Sequence, residues 1–261
     1  MPQIPDDEIA PRPAEELRAR VAAISRLAHQ VRLLRLGDDL PGLLADLRTA
    51  AAHADDTLAP EIQAMLAETW VNARMIARIL GYPDLAQSMT ERYAQSAERS
   101  GDPYAITIGT SLRAAELIQV DRGHAAARLL DTARQATGEP SGSDPPQAWA
   151  AWGWSHLQSA LSAARNAGNA AAADFHLSEA VRAADHLPAN ADHYRMTLNR
   201  PTSPSGRSAL PLNSATGRRQ SDAQAPFEVS LASHRTGYRI ITLTSPATTS
   251  TWATATLRWP R

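Results

Sequence analysis

The chain has 261 residues, 43% of them hydrophobic and only 5% aromatic, and a formal net charge of −1 at neutral pH. A balance so close to zero excludes a global field that would draw nucleic acid or an anionic membrane. The absence of cysteine excludes disulfides, thiolate nucleophiles and Cys-ligated zinc together.

Residues 1–13 carry Pro2, Pro5, Pro11 and Pro13 among acidic residues and read as a flexible lead-in, 1–14, with neither a signal peptide nor a membrane span. From Ala14 a helical period takes over. Leu17, Val21, Ile24, Leu27, Val31 and Leu34 recur every three or four positions, and Gly37 is expected to end that helix. Asp38 or Asp39 is the expected cap of a partner helix carrying Leu40, Leu43, Leu44 and Leu47. A long helix from about Leu58 to Leu80 follows, stopped at Gly81, with Asp55 and Asp56 a polar loop before it. Its partner begins at Pro83 and runs to about Ser100. The spacing predicts the same alternation twice more, with helices at Pro103–Val120, Ala125–Ala136, Gln147–Asn166 and Ala170–His186 and a long loop at 138–147.

Four break glycines therefore stand at 37, 81, 123 and 168, spaced by 44, 42 and 45 residues. Self-similarity in this range marks a helical solenoid, with a longer unit than the tetratricopeptide (TPR) period of about 34. Small residues fall where two helices must cross closely. Ala86 is five positions after Gly81, and Ala173 and Ala180 are five and twelve after Gly168. An Ala-rich bundle without repeats is the alternative. The expected fold class is all-α, a TPR-like antiparallel helix-pair solenoid over 15–198, with an irregular C-terminal tail.

Several stretches resemble one known family. They are Leu-Gly-Tyr-Pro-Asp-Leu-Ala at 80–86, Ser-Gly-Asp-Pro at 100–103, Arg-Gly-His-Ala-Ala-Ala-Arg-Leu-Leu-Asp at 122–131, His-Leu-Ser-Glu-Ala at 176–180 and Asp-His-Tyr-Arg-Met-Thr at 192–197. As a set they resemble the C-terminal TPR-like region of Xre-type helix-turn-helix transcription regulators of high-GC bacteria. The resemblance implies a sensory or interaction domain ordinarily attached to a DNA-binding head. Only about fourteen residues precede the first helix, and no basic recognition helix stands out, so direct DNA binding is not expected.

The tail, 199–261, changes character. Residues 201–261 hold 25 Ser, Thr and Pro, and seven Arg against two acids, Asp222 and Glu228. The preceding 200 residues hold 19 Arg against 25 acids, so the charge steps from −6 to +5. All 26 basic residues are Arg, a mark of GC-rich codon usage. Back-translated with GC-rich codons and read one frame over, the residues from Arg235 give an amphipathic helix, a Gly-Asp turn and the start of another helix. The tail thus reads as a frameshift product, with a natural Ser/Thr-rich tail as the alternative. Within it, Phe227–Leu231 and Tyr238–Thr244 alternate as a weak hairpin would. A chain that leaves its path at 199 is expected to expose the last helix through Phe175, Leu177 and Val181.

No phosphate-binding, zinc-protease or nucleophile-elbow motif is present, so neither catalysis nor a cofactor is expected. His176 and Glu179 sit one turn apart but read as a solvated or hydrogen-bonded pair rather than metal ligands, and His186, Asp192 and His193 read as solvated. Trp149, Trp152 and His156 share a helix face, where they either pack between repeats or anchor a peptide in a concave groove. Asn72, Arg74 and Arg113 lie on the less apolar sides of two long helices. They either meet solvent or bind a peptide backbone or carboxylate. The sequence therefore points to a cytoplasmic, non-catalytic scaffold for a peptide or protein ligand. Two rivals stand beside it: a regulator subunit acting on DNA through an intact relative's helix-turn-helix, and a truncated, non-functional remnant.

Overall fold

The structure is a computed structural model that describes residues 10–30, 32–165, 169–188 and 193–195, and the strands 228–233, 238–244 and 251–258. Among the described residues eight helices make up the body: α1 (Ala14–His29), α2 (Leu33–His53), α3 (Ala59–Ile79), α4 (Pro83–Ser100), α5 (Pro103–Gln119), α6 (Gly123–Thr137), α7 (Pro146–Arg165) and α8 (Ala170–Asp185). A 3-10 turn, His193–Arg195, follows them in the chain. The all-α reading of this region holds. None of the described helices is long and apolar enough to cross a membrane.

The starts and stops have local causes. Proline occupies the first turn of α3, α4 and α5, where its missing N–H costs nothing. Asp102 caps α5, its Oδ1 accepting from Tyr104 N at 2.9 Å and Ala105 N at 3.3 Å. Asp55 Oδ1 does the same for the turn ahead of α3, and Asn169 for α8. Gly101 ends α4 with φ +72, a conformation that glycine adopts without strain.

The first pair departs from expectation. α1 ends at His29 and α2 begins at Leu33, so Gly37 lies inside α2, as do Asp38, Asp39 and Pro41. Leu36, Leu40, Leu43 and Leu47 are all buried on one face of α2, and that burial outweighs the helix-breaking residues on its exposed side. Leu34, expected on the buried face of the first helix, is 87% exposed. Gly81 and Gly123 stand at breaks as expected; Gly168 lies outside the described residues.

Each helix packs against the next, and α1 also packs on α3, and α5 on α7. Side-chain bonds between the odd-numbered helices keep a nearly constant sequence offset. Arg18 Nε donates to Glu61 at 3.0 Å and Ser25 Oγ to Glu68 at 2.6 Å, both 43 positions apart. Arg74 reaches Glu116 across 42, and Arg165 the Ile118 carbonyl across 47. Early residues meet early residues and late meet late, so α1, α3, α5 and α7 run in the same direction, each displaced by one helix pair.

The core is built largely from leucine, isoleucine and alanine, with Leu17, Leu36, Leu47, Ile62, Ile108 and Leu112 at its centre. Alanine matters where helices touch: Ala86, Ala97, Ala114, Ala126, Ala160, Ala173 and Ala180 are all fully buried. In α8, Leu177 is fully buried rather than exposed, whereas Phe175 is 57% exposed. The large apolar side chains left exposed at helix-pair turns include Leu80, Tyr82, Leu85 and Val120.

Beyond the helices, β1 (Glu228–Ser233), β2 (Tyr238–Thr244) and β3 (Thr251–Arg258) form an antiparallel meander. β1 and β2 occupy the stretches where the sequence alternates, paired with Leu231 opposite Ile241. β3 was not foreseen. The first part of the tail, 199–227, lies outside the described residues, and the strands do not test the frameshift reading of the stretch from Arg235.

Candidate partner-binding site

The polar residues picked from the sequence fall in two places. On α3, Asn72 is buried, and its Nδ2 donates to the Glu68 carbonyl at 3.0 Å, one turn back. Arg74 donates through Nη2 to Glu116 Oε1 at 2.6 Å and through Nε to Thr90 Oγ1 at 2.9 Å. Arg78 Nη1 takes the other carboxylate oxygen at 2.9 Å. The three charged side chains are only 12–15% exposed. Desolvation lowers the Arg74 pKa, and Glu116 works against that by favouring the charged form. On α5, Arg113 holds Glu91 at 2.8 Å and Glu98 at 3.5 Å, both on α4. The hydrogen bond to Glu91 raises the Arg113 pKa. These arginines therefore tie α3, α4 and α5 together.

Trp149, Trp152 and His156 do share a face of α7, and α8 with its C-terminal turn lies on it. Trp149 is buried beneath His186, the rings stacked at 3.7 Å and 10°, with the Arg182 guanidinium 5.7 Å from the indole centre. His186, expected to be solvated, is exposed, with one ring face laid on the indole. Trp152 tilts over His156 at 4.6 Å and donates to Glu179 Oε2 at 3.3 Å. Glu179 also pairs with Arg182, which reaches Glu139 at 2.7 Å.

His156 is 2% exposed, and its Nδ1 lies 3.0 Å from Nδ1 of His176. One ring must donate and the other accept, so the pair is stable only while at least one Nδ1 is unprotonated. Burial, with Arg134 and Arg182 nearby, pushes His156 down to about 3; burial and Arg134 also lower His176. His176 and Glu179 thus have separate partners. Among the described residues no three His, Asp or Glu side chains are grouped to hold a metal.

Behind the histidines lies a cleft of about 440 Å³ between α6, α7 and α8, lined by Asp131, Arg134, Ser159, Asn169 and His176 among others. Arg134, 8% exposed, donates to Ser159 Oγ at 2.7 Å and Ser155 Oγ at 3.2 Å and pairs with Asp131. It braces α6 on α7. Its signal in the sequence was the Asp131–Arg134 spacing of one helical turn.

A further contact had no signal in the sequence beyond the Asp-His-Tyr stretch itself. The Tyr194 hydroxyl donates to Asp102 Oδ2 at 2.7 Å, 92 positions away. The 3-10 turn that carries Tyr194 touches α3 and α7. Burial and the neighbouring carboxylate hold the Tyr194 phenol well above its ordinary pKa, so it is the proton donor at any working pH. Close by, Tyr93 is 1% exposed, and its hydroxyl has no hydrogen-bond partner among the described residues.

No protein-family model, no curated protein and no solved structure matches this chain.

Proposed function

We propose that the helical body is a non-catalytic scaffold that binds a peptide or protein segment. The observation that carries this reading is the common direction of α1, α3, α5 and α7 with a near-constant offset of one helix pair. Repetition of that kind lays equivalent helix faces side by side, a continuous surface suited to an extended ligand. Exposed Leu80, Tyr82, Leu85 and Val120 at the turns add apolar area that folding alone leaves unused.

The resemblance at 80–86, 100–103, 122–131, 176–180 and 192–197 supports a more specific role, the interaction domain of a regulator of Xre type acting in the cytoplasm. On that reading an intact relative carrying a helix-turn-helix is a second class of partner, and DNA is reached only through it.

Selection of a displayed peptide library on the purified full-length chain, followed by calorimetry on the enriched peptides, tests the scaffold. Enrichment of a shared motif with dissociation constants around 1–100 μM is the expected result. A library that returns no motif, together with no heat from any selected peptide, overturns it.

A further inference from the structure

After α8 the chain turns back onto helices that it has already built. His186 lies flat on Trp149 of α7, centroid to centroid at 3.7 Å. Leu187 and Tyr194 pack against the main core cluster. The turn at His193–Arg195 touches α3 and α7, and Tyr194 bonds the N-cap of α5. Three successive odd-numbered helices thus contact the chain that carries His186, Leu187 and Tyr194.

The seat has its own chemistry. Asp102 divides its carboxylate: Oδ1 accepts the first N–H groups of α5, and Oδ2 accepts the phenol. An O–H donated to a carboxylate is a charge-assisted bond, roughly twice as strong as a neutral one. Buried Tyr93, its hydroxyl without a partner among the described residues, lies close enough to feel the Asp102 charge. The occupant is strained: Tyr194 has φ 57 and ψ 22, left-handed values costly for a side-chain-bearing residue, about 1–2 kcal/mol. A segment held by one hydroxyl, one stacked ring and the packing of Leu187 and Tyr194, at the cost of a strained residue, is displaceable by a ligand that makes the same contacts without the strain.

We propose that the face shared by α3, α5 and α7 is a peptide site that reads an unmodified tyrosine at Asp102 and a flat ring at Trp149, with the chain's own His186 and Tyr194 as resident occupants. This rests on the scaffold reading above and names both the ligand chemistry and the competitor built into the chain. A phenylalanine fills the ring's place but leaves Asp102 Oδ2 without its donor. A phosphotyrosine sets two negative charges against the carboxylate and is excluded.

The test uses a fluorescein-labelled synthetic peptide of this chain's residues 186–198, titrated by anisotropy into the full-length protein and into its Tyr194→Ala variant. Freed of its own tyrosine, the variant binds at least tenfold more tightly than the wild type, because the fraction of open sites rises. The Tyr194→Phe peptide binds at least fivefold more weakly than the parent, and the phosphotyrosine peptide shows no saturable binding. Equal affinity for the two proteins, no binding to the variant, or a Phe peptide as good as the Tyr peptide overturns the proposal. Circular dichroism and melting confirm that the variant is folded. Full-length Tyr194→Phe, which keeps the ring, falls between the two proteins if the hydroxyl holds the seat; affinity equal to wild type's counts against it. The two readings fail separately. Peptide binding to Tyr194→Ala, with no external motif from the library, leaves this site standing and removes the general scaffold. An external peptide that binds wild type and variant equally does the reverse.

Discussion

Arg74 and Glu116 lie 42 positions apart in the chain and 2.6 Å apart in space, on helices α3 and α5. Arg78 closes on the same carboxylate from the next turn of α3. With the three side chains 12–15% exposed, loss of the anion removes the carboxylate that both shielded cations share. Breaking a shielded ion group from one side typically costs about 3–5 kcal/mol. Glu116→Gln is therefore expected to destabilise the chain by about 3 kcal/mol in urea titration. Arg18→Ala removes the solvent-facing Arg18–Glu61 pair, with side chains 57% and 40% exposed, and should shift the midpoint by no more than about 0.5 kcal/mol. Equal effects would mean that the Glu116 group is no more shielded than the surface pair.

Two glycines separate packing from propensity. A Cβ on Gly109 would sit 3.3 Å from the Ala94 backbone and 3.4 Å from the Tyr93 ring, where α5 crosses α4. Gly109→Val should cost about 1–3 kcal/mol by overpacking. Gly37, inside α2, has nothing within 4 Å, and Gly37→Ala should stabilise by up to about 1 kcal/mol. Denaturant midpoints of the two variants should move in opposite directions; a loss at Gly37→Ala would show that residues 33–41 are not helical.

The histidine pair should make stability depend on pH. His156, pushed down to about 3, stays neutral in the folded chain, while the unfolded chain takes up a proton near pH 6.5. The stability that this group contributes is complete above pH 6.5. It is lost as pH falls from 6.5 towards 3, at about 1.4 kcal/mol per pH unit. Between pH 7 and pH 5 the wild type should lose roughly 2 kcal/mol. His156→Gln cannot titrate and should lose less than half of that. Identical pH slopes for the two proteins would place the titration elsewhere.

Asp102 serves a helix end and a distant hydroxyl at once. Asp102→Ala removes both, and the expected loss is about 2 kcal/mol, one part from the cap and one from the phenol's acceptor. Asp102→Asn keeps an oxygen for the cap but sets an amide NH2 where Oδ2 accepted the phenol, so it should cost about half as much. Hydrogen exchange at Tyr104 and Ala105 reports the cap directly, and faster exchange is expected there in Asp102→Ala alone.

The later helices were legible because their punctuation is chemical. Pro83 and Pro103 open α4 and α5, Gly81 stands at the turn before α4, and Gly123 opens α6. The first pair misled because Gly37, Asp38 and Asp39 resemble a break, while the buried spacing of Leu36, Leu40, Leu43 and Leu47 runs straight through them. For the site, the sequence supplied the shared face of Trp149, Trp152 and His156 but not what covers it. Arg74 was visible as a cation on the less apolar side of a long helix. Its anion sat a full repeat away, where no local pattern looks. Tyr194 and Asp102 were each in view, but a bond across 92 positions leaves no local spacing to read.

The offset between odd-numbered helices also sets an order of events in time. Bonds such as Ser25–Glu68, Arg74–Glu116 and Ile118–Arg165 span no more than 47 positions, so each pair can close soon after it leaves the ribosome. The clasp from Tyr194 to Asp102 cannot form until the helices on both sides of it have been made. A nascent chain therefore passes through a window in which α3, α5 and α7 are assembled and their shared face is still bare, and any segment that meets it then competes with a tyrosine not yet synthesised.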